Sequence, residues 1–547
     1  MTESQDPFSY PPIDPVNFDL IIVGTGLSES IIAAASSAVG KTVLHLDPNP
    51  FYGSHSASLS LHDLTSYLIS PPSLPPAATF SDSDHAVIDL VRQPLCSHAE
   101  IVPCASAEET EFFRENSRKF NIDLGGPRAL FSADKTINLL MKSGAAQYLE
   151  FKGIDKSFVY EASGGGLVNV PDSRAAIFKD EKLLLTEKTR LMRFFNLVKQ
   201  HENISEEDME SPFVSFLEKM KLPPKIKSIL LYAIAMVDYD QDNNEVCKDL
   251  LKTKDGIDRL AQYSSSVGRF PNAPGALLYP IYGEGELPQA FCRRAAVKGC
   301  IYVLRMPVTS LLMDKVTALY KGVRLASGQD LYSHQLILDP SFTIPSPLSL
   351  PPSEFPSERL QILSQRDIKG MVARGICITR SSIKADVSNC SVVYPPRSLY
   401  PEQLTSIKAL QIGSNLAVCP AGTFILYFSA LCNDADEGKK LLKAAMNAIL
   451  TLPVSGSSES IPIAQSDSED IKPIVLWSAF YIQNLIMSKF DFISSTSTPD
   501  GNLNYDDLLD STEKFFGQMY PNEEFFPKAT SPEDTVDEDD NGLTLES

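Results

Sequence analysis

The alternation of apolar and polar positions predicts that the chain opens with a strand–helix–strand unit. An apolar run over 18–23 stops at Gly24 and Gly26, which permit a tight turn. Isoleucines and alanines over 28–38 then indicate a helix, and a second apolar run over 42–46 indicates the next strand. Because dinucleotide-binding domains open with a parallel βαβ unit of this kind, we expect that architecture for the first domain.

The pattern then becomes helical and later returns to short strands. Residues 132–150 and 183–262 are mostly helical in pattern. A glycine-punctuated loop opens another helix, predicted at 287–298. After it, the apolar runs predict strands at 301–304, 309–313, 316–320, 322–325, 335–338, 369–378, 391–394 and 420–430, and a helix at 437–450. Since the strands resume after the helical stretch, we predict an α/β fold, α+β overall, in which a smaller helical domain is inserted into a Rossmann domain.

Changes in composition divide the chain into segments. Stretches rich in serine, proline and acidic residues indicate linkers and insertions. The assigned segments are a disordered arm at 1–16, the first domain at 17–130 with a flexible insertion at 70–85, a helical domain at 131–262, the continued first domain at 263–452 with a proline-rich linker at 340–356, a second linker at 453–473, a C-terminal part packing on the first domain at 474–530, and an acidic disordered tail at 531–547.

One predicted helix, over 225–237, is apolar around nearly its whole circumference. A helix of this kind is either buried on every side or faces an apolar ligand. Both possibilities remain open on the pattern alone.

The charge balance narrows the choice of partners and compartment. The formal net charge is −21 over 547 residues, which argues against nucleic acid as a partner because phosphate backbones attract Lys and Arg. The nine cysteines form no CxxC pair and no apolar signal region follows the N-terminus, so we expect the reduced cytosol. No apolar run is long enough to span a bilayer and no lipidation box ends the chain, so any membrane contact is expected to be indirect.

The glycine-rich turn carries most features of a dinucleotide site but departs from it at one position. Gly24 and Gly26 fit the fingerprint, and Asp47 ends the second strand where an acidic residue normally meets a ribose. Glu29 stands where the third glycine is expected, and its carboxylate can satisfy the helix N-terminus in place of a phosphate. The residues therefore leave two possibilities, an FAD- or nicotinamide-dependent oxidoreductase and a domain that has kept the fold without the cofactor. We found no catalytic motif and no metal-ligand spacing among the seven histidines.

Taken together, the motifs resemble those of one superfamily, the Rab GDP-dissociation inhibitors and Rab escort proteins. The matching segments are GTGLSE at 24–29, VLHLD at 43–47, NPFYG at 49–53, NIDL at 121–124, YGEGELPQ at 282–289 and LDP at 338–340. The resemblance implies a flavoprotein-like first domain and a helical second domain, with no cofactor, no metal and no oxidoreductase activity.

The resemblance also implies two binding sites. The residues that match the family's Rab-binding platform are Tyr52, Glu286, Arg293, Tyr302 and Val303. The helical domain of the family holds the geranylgeranyl lipid tail, and the candidate groove residues in the apolar helix 225–237 are Ile226, Leu230 and Ile234.

Between the two branches of the superfamily, the sequence favours the escort proteins. The chain is longer than a typical inhibitor, and its C-terminal segment from 504 to 527 is similar to that of the escort proteins. The implied function is to bind newly made GDP-bound Rab GTPases, present them to the Rab geranylgeranyltransferase heterodimer and deliver the prenylated product to membranes. A recycling GDP-dissociation inhibitor and an FAD-dependent oxidoreductase are the alternatives.

Overall fold

A computed structural model describes most of the chain. The described residues are 11–70, 74, 85–103, 106–161, 166–171, 184–199, 204–242, 250–317, 319–344, 367–452, 472–527 and 544–545. The insertion predicted at 70–85 and the linker predicted at 453–473 lie almost wholly outside them, as do most of the arm, the proline-rich linker and the tail.

Where those predicted irregular segments are described, three of them are ordered. In the arm, Ile13 is buried and exchanges two hydrogen bonds with the side chain of Gln329. In the proline-rich linker, strand Phe342–Thr343 pairs with strand Val91–Arg92. In the acidic tail, strand Thr544–Leu545 pairs with Glu150–Phe151. The prediction of disorder in the arm and the tail is wrong at these points, because partners distant in sequence satisfy the backbone there.

The first of two large sheets is built around the opening strand. Its strands, in spatial order, are Ile301–Leu304, Val43–Asp47, Asn17–Val23, Asp330–Leu338, Tyr320–Leu325, Val308–Asp314 and His85–Asp89, with Ile493–Ser495 beside Asp330–Leu338. The first four of them run parallel. The opening strand is almost completely buried and apolar, as expected for a parallel sheet covered on both faces. Three helices pack over one face of this sheet: Leu27–Ala38, Glu286–Val297 and Asp506–Met519.

The second large sheet is mainly antiparallel. Its spatial order is Gly166–Asn169, Lys156–Glu161, Cys390–Tyr394, Ile407–Gly413, Phe424–Cys432, Ile368–Thr379, Val475–Ile486 and Cys96–Val102. Helix Ala435–Ile449 covers one face, and the other face joins the core of the helical region. Smaller pairings join Glu150–Gly153, Leu277–Pro280 and Leu130–Phe131, and join Ser58–Leu59 to Ile122–Asp123.

The helical region is smaller than predicted. Strands Glu150–Gly153, Lys156–Glu161 and Gly166–Asn169 lie within 131–262 and belong to sheets of the first domain, so that range is not helical throughout. Its helices in the described residues are Lys135–Ser143, Leu185–Lys199, Glu206–Glu210, Phe213–Lys219, Pro224–Ser228 and Thr253–Ser266, with a π-helical turn at Ile229–Ile234. The remaining helices in the part of the chain that the structure describes are Leu61–Ile69 and Ala107–Asn116, and 3₁₀ turns lie at Ser54–Ser56, Ser117–Lys119, Ala145–Tyr148 and Ser414–Leu416. No helix in the described ranges has the length and apolarity needed to cross a bilayer.

Two buried arginines attach the C-terminal segment to the first domain. The Arg128 guanidinium is 1% exposed and lies 3.1 Å from carboxylate oxygens of both Asp500 and Asp507. Arg374 donates to the carbonyl of Gly126 at 2.9 Å and to that of Asp500 at 2.8 Å. Because these cations would be costly to bury unpaired, residues 500–507 are an integral part of the first domain.

Candidate protein-binding platform

The glycine-rich turn follows the dinucleotide fold, but its cradle is filled by side chains of the chain itself. Gly24 has a φ of +102°, and a Cβ there would lie 2.4 Å from Cβ of Asp339. A Cβ at Gly26 would lie 2.5 Å from a carboxylate oxygen of Glu29 and 2.7 Å from the His55 ring. Both glycines are therefore required by close packing within the protein rather than by a phosphate.

Three ionisable groups meet in this cradle. Glu29 is completely buried and accepts a hydrogen bond from the hydroxyl of Thr496. Nδ1 of His55 lies 3.6 Å from Asp339, which also accepts a hydrogen bond from Ser54. Burial raises the pKa of Glu29 to about 7, with a further increase from the charge of Asp339 and an opposing effect from His55. Burial opposes protonation of His55, but the carboxylates around it outweigh burial and raise its pKa.

These residues do not fit a dinucleotide. A pyrophosphate at the helix N-terminus would meet the Glu29 carboxylate, which has no room to leave because it is buried beside His55 and Thr496.

We expect Glu29→Gln to stabilise the protein increasingly as the pH rises. The pKa of Glu29 is about 7 in the folded protein and 4.5 in the unfolded chain. The contribution of this carboxyl to stability is therefore fully present below about pH 4.5, and it is lost as the pH rises through 7. Glutamine keeps an acceptor for Thr496 without titrating, so the advantage over wild type should grow by roughly 1–3 kcal/mol between pH 5 and 8.5. Melting temperature against pH measures this. Glu108→Gln, which replaces an exposed acid in the first turn of another helix, should give a curve parallel to that of wild type.

Asp47 holds a loop instead of a ribose. Its carboxylate accepts hydrogen bonds from the amide and hydroxyl of Thr25, at 2.8 and 2.6 Å, and from the amide of Asn49 at 2.7 Å. The Thr25 hydroxyl in turn accepts from the amide of Gly53 at 2.9 Å. These bonds fix both ends of the loop at 49–53 and so place Tyr52 at the surface. Burial raises the pKa of Asp47 to about 6, an increase limited by these hydrogen bonds.

The YGEGE turn is held by a buried polar cluster around Asp123. The Asp123 carboxylate accepts hydrogen bonds from Ser58 at 2.6 Å, from the amide of Glu284 at 3.0 Å and from the Tyr279 hydroxyl. A Cβ at Gly283 would lie 2.5 Å from the Ser58 hydroxyl, which also accepts from the Gly285 amide. The NIDL and YGEGE motifs are thus in contact, and together they set the direction in which helix Glu286–Val297 begins.

Four of the five predicted platform residues come together at one edge of the parallel sheet. Tyr52 packs edge-on against Tyr302, with ring centroids 6.2 Å apart, and both are half-buried. The exposed Arg293 lies about two turns along the same helix face from Glu286, close enough to influence the pKa of both Tyr52 and Glu286. Val303 is separate, since neighbouring residues of a strand face opposite sides, and it packs against the core on the other face of the sheet.

Sequence reasoning missed two residues that shape this surface. With its amide oriented to satisfy both atoms, Gln289 donates to Glu286 at 3.2 Å and accepts from Arg293 at 3.3 Å. His45 is completely buried beneath Tyr302, to which it is hydrogen-bonded at 2.8 Å. The i, i+3 and i+7 spacing of Glu286, Gln289 and Arg293 on a predicted helix could have identified Gln289.

The predicted lipid-groove residues are all in the core. Ile226, Leu230 and Ile234 are 1%, 1% and 2% exposed and belong to the cluster shared by the helical region and the second sheet. Of the two possibilities that the pattern left open, the structure shows burial on every side over 229–237. In this structure the three side chains line no open groove.

Comparison with known proteins identifies the class. A family model described as GDP dissociation inhibitor matches residues 15–114 and 104–455. Rab escort protein 1 of Arabidopsis thaliana is 56% identical over 98% of this chain and 99% of its own length. Rab proteins geranylgeranyltransferase component A of Drosophila melanogaster is 28% identical over 95% of this chain and 92% of its own length. The chain therefore belongs to the GDP dissociation inhibitor family, in its Rab escort protein branch.

The fold comparison agrees with this assignment. The crystal structure of Rab GDI from Plasmodium falciparum superposes with a TM-score of 0.65, covering 92% of this chain and 98% of that one, at 20% sequence identity. The predicted fold class, a flavoprotein-like α/β domain with a helical insertion, is confirmed.

Proposed function

We propose that this protein binds newly synthesised, GDP-bound Rab GTPases, presents them to the Rab geranylgeranyltransferase heterodimer and delivers the prenylated Rab to membranes. The observation that carries the proposal is the 56% identity with a Rab escort protein along nearly the whole of both chains. It includes the C-terminal segment, which Arg128 and Arg374 build into the first domain.

The platform supports Rab as the partner. Tyr52 and Tyr302 offer a pair of aromatic rings, and Arg293 with Glu286 offers charges at their side. Aromatic residues and arginines dominate the energy of protein interfaces. Buried hydrogen bonds fix the loop that carries Tyr52 and the start of the helix that carries Glu286 and Arg293.

We further propose that the chain acts as an accessory component rather than as an enzyme, and that it works in the cytosol and reaches membranes through Rab. The name of the Drosophila relative, a component of geranylgeranyltransferase, supports the transferase as partner. The cradle filled by Glu29 and His55 supports the absence of dinucleotide chemistry.

Reconstituted prenylation tests the proposal. Purified transferase, geranylgeranyl diphosphate and a GDP-loaded Rab should incorporate lipid rapidly only when this protein is added. Unchanged incorporation would contradict the escort role. If the protein nevertheless extracted prenylated Rab from vesicles without binding the transferase, it would be a recycling inhibitor.

We propose that the lipid tail enters the helical region next to Ile226, Leu230 and Ile234. Because these side chains are buried, a lipid must displace their packing, and each buried CH₂ group would contribute roughly 0.8 kcal/mol. Binding of geranylgeranylated Rab is therefore expected to change amide hydrogen exchange across 224–237, whereas unprenylated Rab should not. Equal exchange in both complexes would place the lipid elsewhere.

A further inference from the structure

A chain of hydrogen bonds runs from the glycine-rich turn to the platform. Nε2 of His45 lies 2.5 Å from the carbonyl oxygen of Gly24, and Nδ1 lies 2.8 Å from the hydroxyl of Tyr302. His45 and Tyr302 are also direct partners in the pairing of strands Val43–Asp47 and Ile301–Leu304. The two side chains therefore meet on one face of the sheet, with ring centroids 4.7 Å apart.

The chemistry of the three groups shows which atom carries the proton in each of these two hydrogen bonds. The Gly24 carbonyl can only accept, so Nε2 of His45 carries the proton. Burial lowers the pKa of His45 to about 4, so the ring is neutral at pH 7 and Nδ1 has a free lone pair. The Tyr302 hydroxyl must therefore donate to Nδ1.

This arrangement turns the polar end of Tyr302 inward. Its hydroxyl lies among His45, Cys292 and Cys300, and burial followed by the neighbouring thiols raises its pKa well above the ordinary value. All three neighbours are buried. What the half-buried Tyr302 offers to a partner is therefore its ring, against which Tyr52 packs at 6.2 Å.

We propose that His45 is a positioning residue of the Rab platform, which fixes the Tyr302 ring so that it and Tyr52 present an apolar aromatic surface to an apolar side chain of the Rab. The inference rests on the proposed function. It adds His45 as the buried residue through which the glycine-rich turn supports the docking surface. A second consequence is that the Tyr302 hydroxyl contributes to binding through His45 and not through a direct bond to the partner.

Binding of a GDP-loaded, unprenylated Rab to the full-length protein tests this. His45→Phe keeps a ring but removes both nitrogens, and Tyr302→Phe removes only the hydroxyl. Each is expected to weaken Rab binding roughly 5- to 10-fold, since one buried hydrogen bond is lost between the two residues. The double variant should bind no more weakly than His45→Phe alone, because His45→Phe has already removed the bond that Tyr302→Phe removes.

Two further variants separate positioning from general destabilisation. His45→Gln supplies one donor and one acceptor and should restore Rab affinity to within about threefold of wild type. Tyr320→Phe removes another buried tyrosine hydroxyl of the same sheet, bonded to Ser333 at 2.8 Å on a strand far from the platform, and should leave Rab affinity unchanged.

The outcomes distinguish this inference from the proposed function. If wild type binds Rab and the His45→Phe and Tyr302→Phe variants, melting as folded proteins, bind equally well, the inference is wrong. It is also wrong if the double variant loses the product of the two single losses. If His45→Phe does not fold, Tyr302→Phe decides alone, because it retains His45 and the ring packing. Failure of wild type to bind Rab would overturn the proposed function itself.

Discussion

Arg293→Ala is expected to weaken binding of GDP-bound Rab by roughly 30-fold or more, the loss typical of an arginine at an interface hot spot. Arg293 is exposed on helix Glu286–Val297 and lies beside Tyr52, and Gln289 holds its guanidinium toward Glu286. A partner can thus pair with a charge that is already oriented, so little side-chain entropy is lost on binding. Titration of a fluorescent-nucleotide Rab measures the loss, and the stimulation of prenylation should fall in parallel at subsaturating concentrations.

The neighbouring arginine supplies the matched control. Arg294 points away from the platform and donates from Nε to the Ser143 carbonyl at 2.7 Å. Arg294→Ala should therefore lower the melting temperature while preserving Rab affinity. Arg293→Ala should weaken Rab binding while preserving the melting temperature. Equal Rab affinity for wild type and Arg293→Ala would remove Arg293 from the docking surface.

The local periodicity was sufficient to predict the opening unit of the first domain. The strand predicted at 18–23 and the helix predicted at 28–38 are found at Asn17–Val23 and Leu27–Ala38. The strand predicted at 316–320 is wrong: the amides of Val316 and Thr317 are bonded to the Asp314 side chain at 3.0 and 2.8 Å, which makes a turn. A side chain that competes for backbone amides is not visible in the hydrophobic pattern.

Pairing between strands distant in sequence limited the prediction of secondary structure in other parts of the chain. Strand Lys156–Glu161 lies within the bounds predicted for the helical domain, 131–262, and its partner is Cys390–Tyr394, more than two hundred residues later. The π-helical turn at Ile229–Ile234 is also invisible to periodicity, because it is buried all round and no polar face marks its phase.

The platform was likewise predicted only in part from the sequence. The resemblance supplied Tyr52, Glu286 and Arg293, which the structure brings to one surface, but it also supplied Val303, which packs on the opposite face. That Glu29 substitutes for a phosphate stays a prediction; the structure places its carboxylate beside Gly26 and Thr496. His45 could not be identified in the same way, because its role depends on a strand pairing between residues more than two hundred and fifty positions apart.

The largest expected loss of stability comes from Arg128→Met. Methionine fills much of the space of the arginine side chain, but it leaves Asp500 and Asp507 without their shared cation and removes the bond to the Asn504 carbonyl. It also removes the guanidinium from above the Tyr505 ring, 5.3 Å away. Removing one partner of a buried ion-pair cluster leaves uncompensated charge, so the unfolding free energy should fall by roughly 3 kcal/mol.

Urea denaturation measures that loss, and limited proteolysis should show earlier cleavage in the segment that carries Asp500 and Asp507. Lys135→Met provides the control, because Lys135 pairs with Asp510 on the same C-terminal helix at 2.9 Å but both side chains are mostly exposed. Such a surface pair contributes at most about 1 kcal/mol. If the two variants were equally stable, Arg128 would not be what attaches this segment, and Arg374 together with the packing of helix Asp506–Met519 on Leu27–Ala38 would have to hold it.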